Sequence, residues 1–252
     1  MTATVVHDAG RGGVPVVFLH SLAGRGSHWA AQLQHVQRHR RVLALELPGH
    51  GTAPTTPDAD YSIEAMARAV SATLEPLGLG RVSIAGHSFG GGVALEYAST
   101  HPGEVAGLFL LDPISDGREI PQSEVEPFLA ALNSPAYSTT IEEYWTSISG
   151  AWEPIRRRLL EDLRRTAREV VVGGFQAVLR YDPVTALARF RGPAVSVVTP
   201  RNNGPTSLHR LGQGFPHRVV KGTGHWIQLE EPDLVTRLIE EWLLTITADV
   251  PN

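Results

Sequence analysis

The sequence predicts an α/β protein: a doubly wound, mostly parallel sheet that carries a helical insertion. Three observations predict it. Short apolar, β-branched runs recur and end in polar or Gly/Pro turns, amphipathic helical segments lie between them, and the alternation stops between about residues 114 and 183, where helix follows helix. Apolar runs without polar alternation suit strands buried on both faces, as in a parallel sheet. Regular exchange of such strands with helices builds a doubly wound layer.

The expected strands are "VPVVFLH" (14–20), "RVLALEL" (41–47), "RVSIAG" (81–86), "VAGLFLLD" (105–112), "PAVSVVTP" (193–200) and "HRVVKG" (217–222). The first helix is expected over 27–39, with Trp29, Leu33 and Val36 on its apolar side. The second spans 62–78, with Ser62 as N-cap and Ala65, Met66, Ala69, Val70 and Leu74 on one face. A third, 89–102, stops at a proline, and the last, 232–246, has Pro232 in its first turn and a Leu234–Leu238–Trp242 stripe. Within the break, "QSEVEPFLAAL", "TIEEYWTSI" and "EPIRRRLLEDLRRTAREVVVGG" all read as helix. The expected organisation is a core of residues 1–113 and 184–252 with a helical cap over 114–183.

Tyr137, Tyr144, Trp145 and Trp152 of the insertion are expected over an apolar pocket, with Trp226 beside it. Arg156, Arg157, Arg158, Arg164, Arg165 and Arg168 are interleaved with Glu161, Asp162 and Glu169. That pattern reads as a solvated helix face with pairs one turn apart. Asp182 reads as a helix cap where the insertion rejoins the core.

The 252 residues fit one large domain or a core with an insertion. A formal charge of −4 disfavours a nucleic-acid partner, and the absence of cysteine removes disulfides, thiolate metal sites and a cysteine nucleophile. No apolar run approaches the roughly 20 residues that cross a bilayer, and "MTATVVHDAG" has no signal-peptide pattern. The expectation is a cytoplasmic protein acting on a small-molecule substrate, with no membrane span, no metal and no cofactor.

"AGHSFGGG" (85–92) carries the chemistry. Gly86-His87-Ser88-Phe89-Gly90 fits G-x-S-x-G between an expected strand and helix, the context in which the serine sits on a sharp turn as nucleophile. Small neighbours leave room for that turn. A serine hydroxyl needs a base to take its proton. His225, in "GTGHW" after the last strand, is the candidate base in the chain order Ser…acid…His. Backbone N–H groups should receive the oxyanion: Phe89, first in its helix, and Leu22 in the loop after strand 14–20. His20 is expected to pin that loop, and His87 to point away from the nucleophile. His35 and His39, four residues apart on one helix, could hold a metal but show no carboxylate partner in sequence, so solvation is the expectation.

With "VVFLHSLAG", "SHW", "LELPGHG", "AGHSFGG", "GLFLLDP", "YDPVTAL" and "GTGHW" in this order over nearly the whole length, the chain resembles the α/β-hydrolase superfamily. Ser21 departs from the glycine common after the oxyanion-loop histidine, and Glu46 from the usual aspartate of "DLPGHG". In the family's commonest arrangement the acid follows the strand before the histidine strand. Here that segment, "VSVVTPRNNGPTSLHR", holds no Asp or Glu, and Asn202 or Asn203 takes the place. Some members carry the acid one strand earlier, which implies Asp112, with Asp116 a weaker candidate. The resemblance implies a triad of Ser88, His225 and Asp112. It implies hydrolysis of carboxylic esters of small to medium hydrophobic substrates through an acyl-enzyme. A carbon–carbon (diketone) hydrolase and a non-catalytic ligand-binding protein on the same fold are the alternatives.

Overall fold

Seven strands form one sheet in the order β1-β3-β2-β4-β5-β6-β7 in the computed structural model, which describes residues 2–55, 59–212 and 214–246. The strands are β1 (Thr4–Ala9), β2 (Val16–Leu19), β3 (Val42–Glu46), β4 (Val82–His87), β5 (Val105–Leu111), β6 (Ala194–Val198) and β7 (His217–Val219). Every neighbouring pair is parallel except β1 with β3. The doubly wound sheet expected from the sequence is therefore present. The expectation omitted β1, whose burial alternates along its length, as an edge strand's does.

The helices are α1 (Ala30–Val36), α2 (Ile63–Leu74), α3 (Phe89–Thr100), α4 (Gln122–Leu132), α5 (Tyr137–Ile148), α6 (Glu153–Arg164), α7 (Arg168–Arg180), α8 (Pro183–Arg189), α9 (Ile227–Glu230) and α10 (Pro232–Thr245). Period-two side-chain alternation splits the sheet into two packed faces. Val17, Leu19, Ile84, Leu108 and Leu110 pack with α2 and α3 residues such as Met66, Val70 and Val93. Val16, Phe18, Ala85, Phe109 and Val197 pack with Trp29, Leu33, Leu238 and Trp242 of the α1 and α10 side. Ser62 caps α2, its Oγ accepting from the Ala65 N–H at 3.1 Å.

Helices α4 to α7 lie between β5 and β6 and supply the insertion, while α8 packs on α3. The long basic stretch is two helices rather than one. It breaks at Ala167, which is extended, after Thr166 Oγ bonds back to the Asp162 carbonyl at 2.9 Å. Arg157 pairs with Glu153 one turn away on the same helix at 2.9 Å, whereas Arg164 reaches across to Glu142 of α5 at 2.6 Å. Asp182 caps α8 by accepting from the Val184 and Thr185 N–H groups, both at 3.1 Å. No helix among the described residues is long and apolar enough to cross a membrane.

Parallel pairing aligns the strand ends. Leu19 stands beside Gly86, His87 beside Leu111, and Leu111 beside Val197. The next residues of β2, β4, β5 and β6 therefore emerge along one edge: His20, Ser88, Asp112 and Thr199. Open α/β sheets bind ligands at that carboxyl edge.

Candidate active site

Three non-glycine residues have positive φ among the described residues: Ala23 at 52°, Ser88 at 54° and Asp112 at 39°. Each sits in a turn at the carboxyl edge. Such backbone costs on the order of 1–3 kcal/mol per residue and persists only where surrounding contacts enforce it. At Ser88 the enforcement is close packing. A Cβ on Gly86 would lie 2.5 Å from the Gly90 carbonyl oxygen, and one on Gly90 would lie 2.4 Å from the His20 carbonyl oxygen. The glycines thus let α3 close onto β4 and β2, and the half-buried Ser88 is left on the turn between strand and helix.

His225 is held from three directions. Its Nδ1 lies 2.6 Å from Asp112 Oδ2, its N–H donates to the Ile148 carbonyl of α5 at 2.8 Å, and its carbonyl accepts from His87 Nε2 at 2.9 Å. His87 turns its Nδ1 to Gln228 Nε2 at 3.1 Å, which fixes the Nε2–H tautomer. Burial pushes the His87 imidazole well below its ordinary range, with the His225 charge adding to the effect. His87 is thus a neutral strut under the loop that carries His225.

Asp112 is 1% exposed. Its Oδ1 accepts from the Thr199 N–H at 2.7 Å and from Thr199 Oγ at 3.1 Å, leaving Oδ2 aimed at the imidazole. Thr199 went unnoticed in the sequence because a threonine ending a strand carries no signal of its own. Asp116 points elsewhere and binds Arg118 through both oxygens, at 2.9 and 2.8 Å. Asn203 also turns away: its Oδ1 accepts from Arg210 at 3.0 Å and lies 3.1 Å from His209 Nε2.

His20 ties down the loop after β2. Its Nδ1–H donates to the Ser21 carbonyl at 2.8 Å, and its Nε2 accepts from the Leu47 N–H at 3.0 Å. The Ser21 carbonyl also accepts from the Gly24 N–H at 2.9 Å. A trans peptide points its N–H opposite to its C=O, so anchoring that carbonyl sets the direction of the Leu22 N–H. The Phe89 N–H opens α3 and has no acceptor within the helix.

A cavity of about 340 Å³ joins these groups, with Ser88, His225, Leu22 and Phe89 all in its lining. Tyr144, Trp145 and Trp226 line it too, along with Phe175 and Arg201, which the sequence reading did not single out. The Trp145 and Trp226 rings lie 6.0 Å apart and join the insertion to the His225 loop. Trp152 is a correction. It is 62% exposed, precedes α6 on an extended residue between two helices, and does not reach the cavity. The insertion is also tied to the core by Asp162 of α6, which pairs with Arg25 and accepts from His28 Nε2 at 2.9 Å. His35 and His39 do have a carboxylate neighbour, Glu240 of α10, 3.2 Å from each Nε2.

The model of the family described as alpha/beta hydrolase fold matches residues 14–134. That match, just under half of the chain, supports the α/β-hydrolase superfamily, and the sheet order and flanking helices are those of its fold. Among the curated relatives of this chain is the dihydrolipoyllysine-residue acetyltransferase component of the acetoin cleaving system of Pseudomonas putida. It is 29% identical over 243 residues, covering 90% of this chain and 63% of that protein. Lipase LipV of Mycobacterium tuberculosis is 34% identical over 148 residues, 58% of this chain and 54% of that protein. The chain thus spans between about half and two thirds of the length of these two relatives. An esterase from Exiguobacterium antarcticum superposes with a TM-score of 0.83 at 18% identity, covering 96% of each chain, a likeness of fold.

Proposed function

We propose that the protein is a serine hydrolase that cleaves carboxylic esters of small to medium size through an acyl-enzyme. The observation that carries this reading is a single arrangement. Ser88, on a turn with φ of 54°, shares a cavity with His225, whose Nδ1 is 2.6 Å from the buried Asp112. His225 Nε2 takes the Ser88 proton as Oγ attacks the ester carbonyl carbon. Asp112 holds the Nδ1–H and stabilises the imidazolium. The Leu22 and Phe89 N–H groups receive the oxyanion. Collapse of the tetrahedral intermediate expels the alcohol, protonated by His225. Water, deprotonated by the same imidazole, then attacks the acyl carbon and returns Ser88. Tyr144, Trp145, Trp226 and Phe175 supply an apolar wall for the acyl or alcohol portion, and helices α4 to α7 act as the cap over it.

Turnover of 4-nitrophenyl acetate and butyrate, with Ser88→Ala as control, tests the proposal. Turnover and fluorophosphonate labelling that both vanish in Ser88→Ala are the expected result. Absence of labelling in the unaltered protein would leave a ligand-binding protein on a hydrolase fold.

A further inference from the structure

Arg201 is the cavity's one permanently charged lining residue, and no carboxylate lines the cavity with it. Asp112 is buried behind His225 and engaged there. Among the described residues no carboxylate stands within ion-pair distance of Arg201. The guanidinium carbon instead lies 6.0 Å from the ring centroid of Tyr144, another lining residue. The turn that carries it is well fixed. The Asn202 N–H donates to the Thr199 carbonyl at 3.1 Å, and Ser207 Oγ donates to the Asn202 carbonyl at 2.6 Å. That same turn holds Asp112 through Thr199. The segment after β6 thus gives the cavity Arg201, Asn202 and Thr206, the turn after β5 adds Ser115, and apart from these and Ser21, Ser88 and His225 the lining is mostly apolar.

We propose that Arg201 recognises a carboxylate on the substrate, so that the preferred substrates are short esters carrying one free carboxylate, such as half-esters of small dicarboxylic acids. This rests on the ester-hydrolase reading of the same site. The guanidinium fork matches a carboxylate with two parallel N–H···O bonds. One cation suits one carboxylate, and a phosphate dianion would find no second cation in the lining. A volume of about 340 Å³ falls at the small end of ligand sites, so the scissile carbonyl at Ser88 and the charge at Arg201 are a few bonds apart in the substrate. Arg201 is exposed, so solvent screening limits the gain to about tenfold.

The test compares mono-4-nitrophenyl glutarate with 4-nitrophenyl pentanoate. The expected ratio of kcat/KM favours the anionic ester by about tenfold, mainly through KM, and shrinks in high salt. Arg201→Gln brings the ratio to about one, and Arg201→Lys retains part of it. A general loss of activity leaves the ratio unmoved and cannot imitate this result. A ratio unchanged in Arg201→Gln overturns the proposal. Binding of free glutarate to Ser88→Ala, read by tryptophan fluorescence with and without Arg201→Gln, separates the two readings. Arg201-dependent binding without ester turnover would reject ester hydrolysis and keep carboxylate recognition. Ester turnover with Arg201-independent binding would do the opposite.

Discussion

The turn after β5 and the turn after β6 stand side by side at the carboxyl edge, yet they divide the work unequally. The first turns through Asp112 at a φ of 39° and sends a carboxylate to the His225 ring. The second offers Thr199 to that carboxylate, while Asn203 folds back onto Arg210 and His209. The difference teaches that an acid's usefulness depends on which turn aims it. An aspartate at position 203 would meet Arg210 before it met the imidazole. Asp112, by contrast, has Oδ1 engaged by the Thr199 N–H and hydroxyl, while Oδ2, which that hydroxyl also reaches at 3.2 Å, faces His225 Nδ1.

Breaking the first turn has the largest expected effect. Asp112→Asn should lower kcat by about a thousandfold to ten-thousandfold, because an amide neither stabilises the imidazolium nor secures the right tautomer. Steady-state kinetics on a 4-nitrophenyl ester, with folding checked by circular dichroism, measures it. Turnover within about threefold of the unaltered protein would mean that the acid lies elsewhere. Thr199→Val tests the support given by the second turn. It keeps the N–H bond to Asp112 but removes the hydroxyl bond, so kcat should fall by about tenfold. Thr199→Ser should recover most of that loss.

Much of this comparison was legible in the sequence because strong local chemistry marks it. A G-x-S-x-G between a buried strand and a helix needs Gly86 and Gly90 for room, and the packing distances at those two positions give the reason. The strands β2 to β6 announce themselves as continuous apolar runs. β1 does not, because His7 and Asp8 interrupt an edge strand that needs only one apolar face. Thr199, Arg201 and the Arg25–Asp162–His28 link were illegible for a different reason. Each depends on residues far apart in sequence, with Asp162 more than a hundred positions from either partner. Trp152 misled because an aromatic beside a helix start carries no mark of which side it faces.

The edge around the first turn also predicts how stability depends on pH. His20, His50 and His87 are buried there, and burial is the first cause of each depressed imidazole, with His50 held down to about 4. In the unfolded chain a histidine titrates near about 6.5. Between about 6.5 and 4 the unfolded chain therefore binds protons that the folded chain refuses, and stability falls as pH falls through that window. It is complete above about 6.5. Each such imidazole contributes up to ~1.4 kcal/mol per pH unit inside the window. Thermal unfolding followed from pH 7 to pH 5 should show Tm dropping, with a shallower slope in His50→Gln. A flat Tm over that range would contradict the burial of neutral rings at this edge.

The smallest expected effect sharpens the comparison from the side of the second turn. Asn203→Ala removes an acceptor for Arg210 and His209 but nothing that touches Asp112 or His225. Its contacts with Arg210 are surface hydrogen bonds, each worth about 1 kcal/mol or less. Turnover should change by less than about twofold, and Tm by a few degrees at most. A loss comparable to that of Asp112→Asn would place the asparagine in the proton path and make the two turns equal partners. A loss confined to Tm would instead mark Asn203 as the staple that keeps Thr199 in register beneath the carboxylate.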